Sequence, residues 1–470
     1  MEDLQKGNFE RSIRRRLDLL LRTGQLLMES GADTSRIRRN MKRTASYLGF
    51  TEDKLHIHIT YNMLMVNYSD ETHSFSKFQR CEKHGINMTA ISEVSKLSWR
   101  ALSQDYTLDE YEKEFEKIRQ RPRNYTPWQV AICAGFACGG FCVQFGCDWT
   151  AFFYASIAAI LGFRLRAVLN EMGSNGYANI AVAAFVSTLL AWLSAYLSMP
   201  VVANVLPDWL ATVLHSNTPW HPLMACALFI VPGVPLINFV SDMLDSHFSM
   251  GLNRALNTLL MVAAMSFGIA VAIKVCGIDN FVKDLSMTPH NSYLAYAIAA
   301  AVSAMGFSMI FNIPRRLLPV VAVGGIIAVC TRNFCNLGPS NNNIGLDLGL
   351  IIGSLIGSSL ISIICIKAVH IFHVPHHVIS IPSVIPMVPG VLMYRALFGL
   401  IEMQGVVGEL TEAFSNGVKA SLTILCIAIG VAIPNIFARQ WIAPNRRRKL
   451  ENLIAERKKK GKFVELEDVK

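Results

Sequence analysis

Charge is what this sequence has least of. Only 17% of its 470 residues are Asp, Glu, Lys or Arg, against about 25% in ordinary soluble chains, which makes a soluble globular enzyme a poor description. The shortage is local. Residues 127–438 hold 11 basic and 11 acidic side chains, residues 1–126 hold 22 and 18, and residues 439–470 hold 11 and 5. The net charge of +10 therefore belongs to the two ends. Catalytic signatures are missing as well. The chain has no G-x-x-x-x-G-K-[ST] loop to cradle a nucleotide phosphate, no H-E-x-x-H and no G-x-S-x-G elbow, so ATP-driven chemistry is not expected of it. A nucleic-acid reader needs a basic face with aromatics or a reading motif, and neither is present. No apolar run precedes about residue 127, so no signal peptide is expected. The eleven cysteines are odd in number, and only Cys81 lies in the N-terminal part, which speaks against a disulfide framework. Cys133, Cys138, Cys142 and Cys147 share one apolar stretch and read as packing residues rather than metal ligands. His370, His373, His376 and His377 have spacings that could hold zinc, but read better as an interfacial loop. No metal and no cofactor are expected.

What is present is apolar surface. Hydrophobic residues make up 52% of the chain, and the mean hydropathy is +0.35. From Trp128 on, ten segments approach the roughly 20 residues that a bilayer core requires: 128–146, 149–168, 177–198, 221–242, 255–276, 293–313, 317–334, 346–369, 378–402 and 418–438. Residues 1–126 read as a small α+β domain. Leu17, Leu20, Leu21, Leu27 and Met28 recur at helical spacing, Gly31 is a stop and Asp33 an N-cap. A second helix runs to Leu48, strands cover 55–68 and 72–78, and two helices follow near 89–103 and 108–121. The expected fold is an α-helical polytopic membrane protein. Its parts are an N-terminal α+β cytoplasmic domain (1–126), a first five-span unit (127–280), a second (281–440) and a basic tail (441–470) read as a solvated cytoplasmic segment. Arg121, Arg123, Arg164, Arg166, Arg254, Arg315, Arg316 and Lys367 favour one side of the membrane, so both termini are expected in the cytoplasm.

Val231-Pro232-Gly233-Val234 recurs as Val388-Pro389-Gly390-Val391, 157 residues on. At the same offset Asn238 falls on Arg395, Asp245 on Glu402 and Gly251 on Gly408. Upstream, Gly162-Phe163 is taken to recur as Gly306-Phe307, 144 residues on. Each half then holds five spans, and two tandem units with an odd number of spans must lie inverted to one another, an arrangement typical of secondary transporters. Such proteins bind substrate near the midplane on broken helices. The breaks at Pro232-Gly233 and Pro389-Gly390 are the expected substrate site, with half-helix N–H groups aimed at a carboxylate. Arg395 would supply a fixed positive charge and Asn238 a neutral polar contact. Asp242, with Glu402 second, is the expected proton carrier.

The stretch Leu26-Leu27-Met28-Glu29-Ser30-Gly31-Ala32-Asp33-Thr34 with Arg36 resembles the start of the threonine/serine exporter family. Pro232-Gly233-Val234-Pro235 with the Asp242 stretch, and the second Pro389-Gly390 segment, resemble that family as well. The similarity covers nearly the whole chain, with Glu29, Gly31, Ala32, Thr34 and Arg36 as the motif residues; the basic tail lies outside it. The resemblance implies proton-motive-force-driven efflux of small polar metabolites across the plasma membrane. Threonine and serine are the usual substrates, and a dicarboxylate such as succinate is associated with forms in which the two units are separate chains. The expected partners are a small-molecule substrate and the lipid bilayer; a homo-oligomer is left open. The rival readings are a membrane-anchored enzyme, with His56, His58 and Glu29 as its candidate groups, or a sensor.

Overall fold

A computed structural model describes residues 2–70, 73–198, 207–278, 292–339, 344–401 and 407–459. The chain forms two compact units. One gathers the described parts of 1–123, 238–254 and 435–470; the other holds those of 124–237 and 255–434.

In the first unit, helix α1 (Glu2–Glu29) and helix α2 (Thr34–Tyr47) precede a three-stranded antiparallel sheet. Its strands are β1 (Leu55–Ile59), β2 (Met63–Ser69) and β3 (Ser74–Arg80), in the order β1-β2-β3. Alternation along β2 sends Leu64, Val66 and Tyr68 inward, as period-2 geometry requires, and α1 packs on β2 and β3. Helices α3 (Met88–Ser103) and α4 (Leu108–Arg119) close the core, α4 through a Thr107–Glu110 capping box. Arg15 and Arg22 of α1 pair with Asp109, Glu112 and Glu116 on and beside α4.

The remaining elements are helical and lie mostly in the second unit. Helix α5 (Pro127–Gln144) is opened by a Thr126–Gln129 capping box with Pro127 at its first position, where the lost N–H costs nothing. It is followed by α6 (Trp149–Glu171), α7 (Gly176–Leu197), α8 (Asp208–Leu214) and α9 (Pro222–Ala225). A 3-10 turn at Leu228–Ile230 leads to α10 (Gly233–Leu244) and α11 (Phe248–Val275). Next come α12 (Tyr293–Ile310), α13 (Leu318–Asn336), α14 (Leu350–Phe372) and α15 (His377–Val384). A second 3-10 turn at Ile385–Met387 precedes α16 (Gly390–Ile401) and the long α17 (Val407–Lys459). Among the described residues, seven helices are long and apolar enough to cross a membrane, and nine if each of two bent pairs counts as one span. The protein is thus a multi-pass membrane protein. The bends, 58° at Pro232 and 52° at Pro389, fall where proline removes a backbone donor and clashes with the preceding turn. The 18-residue α5 lies mostly buried among its neighbours.

Packing recurs from one half to the other. The α9 segment packs on α5, α6 and α7, and α15 packs on α12, α13 and α14. Helices α5 and α12 cross through glycine. A Cβ on Gly140 would meet Ala299 O and Ser303 Oγ, and one on Gly306 would meet Cys133 O and Ala137 Cβ. Each contact is the image of the other under a shift of 166 residues. As the numbers rise along α5 they fall along α12, so the two helices pack antiparallel. This corrects one landmark. Gly162-Phe163 lies in α6 and Gly306-Phe307 in α12, whereas the Gly-Phe pair whose contacts match those of Gly306-Phe307 is Gly140-Phe141. Small residues let the two backbones approach, the usual basis of helix pairing in lipid.

Candidate functional site

Within the second unit the two breaks meet. Gly233 N–H donates to Val231 O and Gly390 N–H to Val388 O, both at 2.9 Å. These tight turns reset the chain before each half-helix resumes with Leu236 N–H on Pro232 O (3.0 Å) and Met393 N–H on Pro389 O (3.1 Å). A Cβ on Gly233 would fall 2.3 Å from Ile385 Cδ1, and one on Gly390 would fall 2.7 Å from Leu228 Cδ2. Only glycine fits at either place without displacing a neighbour. The cavity between them is lined by Leu228, Val231 and Gly233, by Ile385, Val388 and Gly390, and by Phe141 and Phe307. The first two triplets are counterparts 157 residues apart. The two phenylalanines, from α5 and α12, meet edge-on at 5.7 Å. The cavity volume is about 10 Å³, barely enough for one water, so this is a closed conformation.

In the first unit the motif 29–36 forms a corner. Ala32 N–H donates to Leu27 O and Gly31 N–H to Met28 O, both at 3.1 Å, the paired bonds of a Schellman stop. Gly31 has φ +79, in the left-handed region that glycine enters without penalty. Asp33 then caps α2, accepting from Arg36 N–H at 2.8 Å and pairing with Arg36 Nε at 3.0 Å. The reversal leaves the carbonyls of Gly31 and Ala32 and the N–H of Thr34 pointing outward, and each finds a partner on 238–254. Asn238 Nδ2 donates to Gly31 O (2.9 Å), Arg254 Nη2 donates to Ala32 O (2.8 Å), and Thr34 N–H donates to Asp242 Oδ1 (3.0 Å). Asp242 Oδ2 lies 3.1 Å from Arg254 Nη1. Asp242 is 1% exposed and Arg254 7%. Ser35 Oγ donates to Asp245, and His247 lies beside it. Burial first, then the Arg38 cation, holds His247 below the usual imidazole range. Glu29 accepts from Gln25 at 2.9 Å, and its backbone carbonyl takes Gly85 N–H at 3.0 Å.

The site residues expected from sequence thus fall into two groups. Gly233 and Gly390 line the cavity, with Pro232 and Pro389 forming its bends. Asn238 and Asp242 are instead engaged by the motif corner. Gly31, Ala32, Thr34 and Arg36 build that corner directly, and Glu29 supports it from the end of α1. Arg395 is half-buried on α16 and does not line the cavity. Glu402 lies outside the described residues. His376 and His377 stack at 3.9 Å, while His373 ends α14 in the left-handed region. Sequence reasoning missed Arg254, taking it for a loop charge. The signal was an arginine at the mouth of an apolar run, twelve residues after Asp242.

The family described as "Putative threonine/serine exporter" matches residues 18–276, and the related "Threonine/Serine exporter, ThrE" matches residues 296–437. A "Threonine/serine exporter" of Corynebacterium glutamicum is 22% identical over 439 residues, 92% of this chain and 84% of that protein. A "Probable threonine/serine exporter" of Mycobacterium tuberculosis is 21% identical over 434 residues, 90% and 77% of the two chains. "Probable succinate transporter subunit YjjP" of Escherichia coli is 26% identical over 266 residues, 56% of this chain and 96% of that protein. No solved structure matches the chain.

Proposed function

Because the chain belongs to the threonine/serine exporter family, we propose that it exports threonine, serine or similarly small polar metabolites across the plasma membrane, driven by the proton motive force, with both termini in the cytoplasm. The observation that carries this reading is the meeting of two broken helices at residues 157 apart. Antiparallel packing of α5 on α12 supports two inverted five-helix repeats, ten spans in all, with the cavity on their pseudo-two-fold axis. Parting the breaks toward one face of the membrane exposes the N-terminal ends of α10 and α16. Their positive dipole ends suit the substrate carboxylate, and Arg395 supplies a fixed charge nearby. By the pseudo-symmetry, the same rocking opens toward the other face.

Asp242 is the proposed proton carrier. As a carboxylate it holds Arg254 and the N-terminus of α2; protonation removes its charge and loosens both. Glu402 remains the second candidate. Counterflow into proteoliposomes with labelled threonine, serine and succinate is the direct test. Exchange of threonine and serine is expected, and exchange of succinate alone would shift the reading to the dicarboxylate class suggested by the Escherichia coli relative. Asp242→Asn should retain counterflow and lose efflux driven by a pH gradient; intact gradient-driven efflux in that variant removes Asp242 from coupling. Arg395→Gln should insert and fold normally while losing most counterflow, and normal transport would place the substrate elsewhere.

A further inference from the structure

A hollow of about 320 Å³ opens in the first unit between α2, β1 and the start of α11. Arg38, His58, Ser246, His247 and Ser249 supply its polar wall, and no carboxylate lines it among the described residues. Ile57, Ile59, Phe248 and Met250 make the rest apolar. The nearest acids face neighbouring hollows and are engaged: Asp245 by Ser35, and Glu52 by Lys42 at 3.2 Å. Arg38 makes no ion pair among the described residues and is exposed. The hollow also lies at the first turn of α11, whose positive dipole end favours an anion. Its apolar rim continues along α11. Phe248 is 63% exposed, Leu252 54% and Leu256 52%, one residue per turn on one face of a helix apolar enough to span a membrane.

We propose that this hollow binds the phosphate of an anionic phospholipid, with Arg38 as the principal cation and an acyl chain lying along Phe248 and Leu252. A guanidinium fork with hydroxyl and imidazole donors around it matches the several acceptor oxygens of a phosphate. A free water-soluble anion would make no use of the apolar stripe that begins at the rim; a membrane lipid uses both.

The test is native mass spectrometry of the full-length protein released from detergent with equal amounts of phosphatidylglycerol and phosphatidylcholine. The wild type should retain phosphatidylglycerol preferentially. Arg38→Gln should reduce that retention about fivefold, the equivalent of about 1 kcal/mol for one basic residue at an anionic surface. Arg14→Gln, at an exposed position away from the hollow, should leave it unchanged. Equal retention in wild type and Arg38→Gln overturns the proposal, as does an equal loss in Arg14→Gln. Thermal melting with inorganic phosphate in lipid-free detergent separates the sources. Arg38-dependent stabilisation by phosphate, without any preference for phosphatidylglycerol, would mean a soluble anion and overturn the lipid assignment.

Discussion

Arg254 illustrates how one side chain can decide the state of another. It is buried beside Asp242 and also satisfies the Ala32 carbonyl. Removing it strands a carboxylate that is 1% exposed, and breaking a buried pair from one side costs about 3–5 kcal/mol. Arg254→Met should therefore lower the melting temperature of the purified protein sharply, and Asp242→Asn in the same chain should recover much of the loss. Equal melting of the single and double variants would show that the pair contributes nothing. His247 sets a pH dependence. It faces Arg38 and Arg254 as well as Asp245 and Asp33, and its folded pKa is depressed. An unfolded imidazole titrates near 6.5, so below about pH 6.5 the unfolded chain takes up a proton that the folded one refuses. Stability should fall between pH 7.5 and 5.5, and His247→Asn should flatten that slope in thermal melts.

At the scale of elements, the chain's corners were easier to read than their partners. Gly31 as a stop and Asp33 as a cap follow from residues within one turn of each, so the sequence announces them. What the freed carbonyls bind lies more than 200 positions away, and no local pattern carries that information. The Pro-Gly breaks were legible because proline acts on its own helix, whereas the contacts of Gly140 with Ser303 and of Gly306 with Ala137 depend on packing that a Gly-Phe dipeptide cannot specify. The described residues of the tail are mostly exposed, with Arg457 the exception. In the first unit Arg457 of α17 is buried, 3.5 Å from Asp105, donating to Tyr106 O at 3.1 Å and stacked 4.8 Å over Tyr47. An arginine flanked by an acid, a carbonyl and a ring can leave water where its lysine neighbours cannot. Arg457→Ala should cost about 3–5 kcal/mol, read as a lower melting temperature, while Lys459→Ala, at an exposed position, should cost almost nothing. Gly31→Ala forces a left-handed conformation and brings a Cβ within 2.9 Å of Gly85 O. A loss of about 1–2 kcal/mol or more is expected for the conformation alone, measurable in the same melts.

For the whole molecule the decisive geometry is the antiparallel crossing of α5 and α12. Val143 and Ala299 share one buried cluster with Phe152. Cysteines at 143 and 299, in a background lacking the native ones, should therefore crosslink in membranes, whereas cysteines at 143 and 309 should not. Parallel packing of equivalent helices would reverse that outcome and remove the inverted arrangement. The cavity at the meeting of the breaks has a further meaning for the cell. Its walls are hydrocarbon and aromatic rings, and its volume is about 10 Å³. A file of hydrogen-bonded waters cannot thread such a space, and without one a proton has no relay to hop along. A resting exporter closed in this way is an electrical insulator. The voltage and pH difference proposed to drive its work are not dissipated through this point while the breaks stay closed.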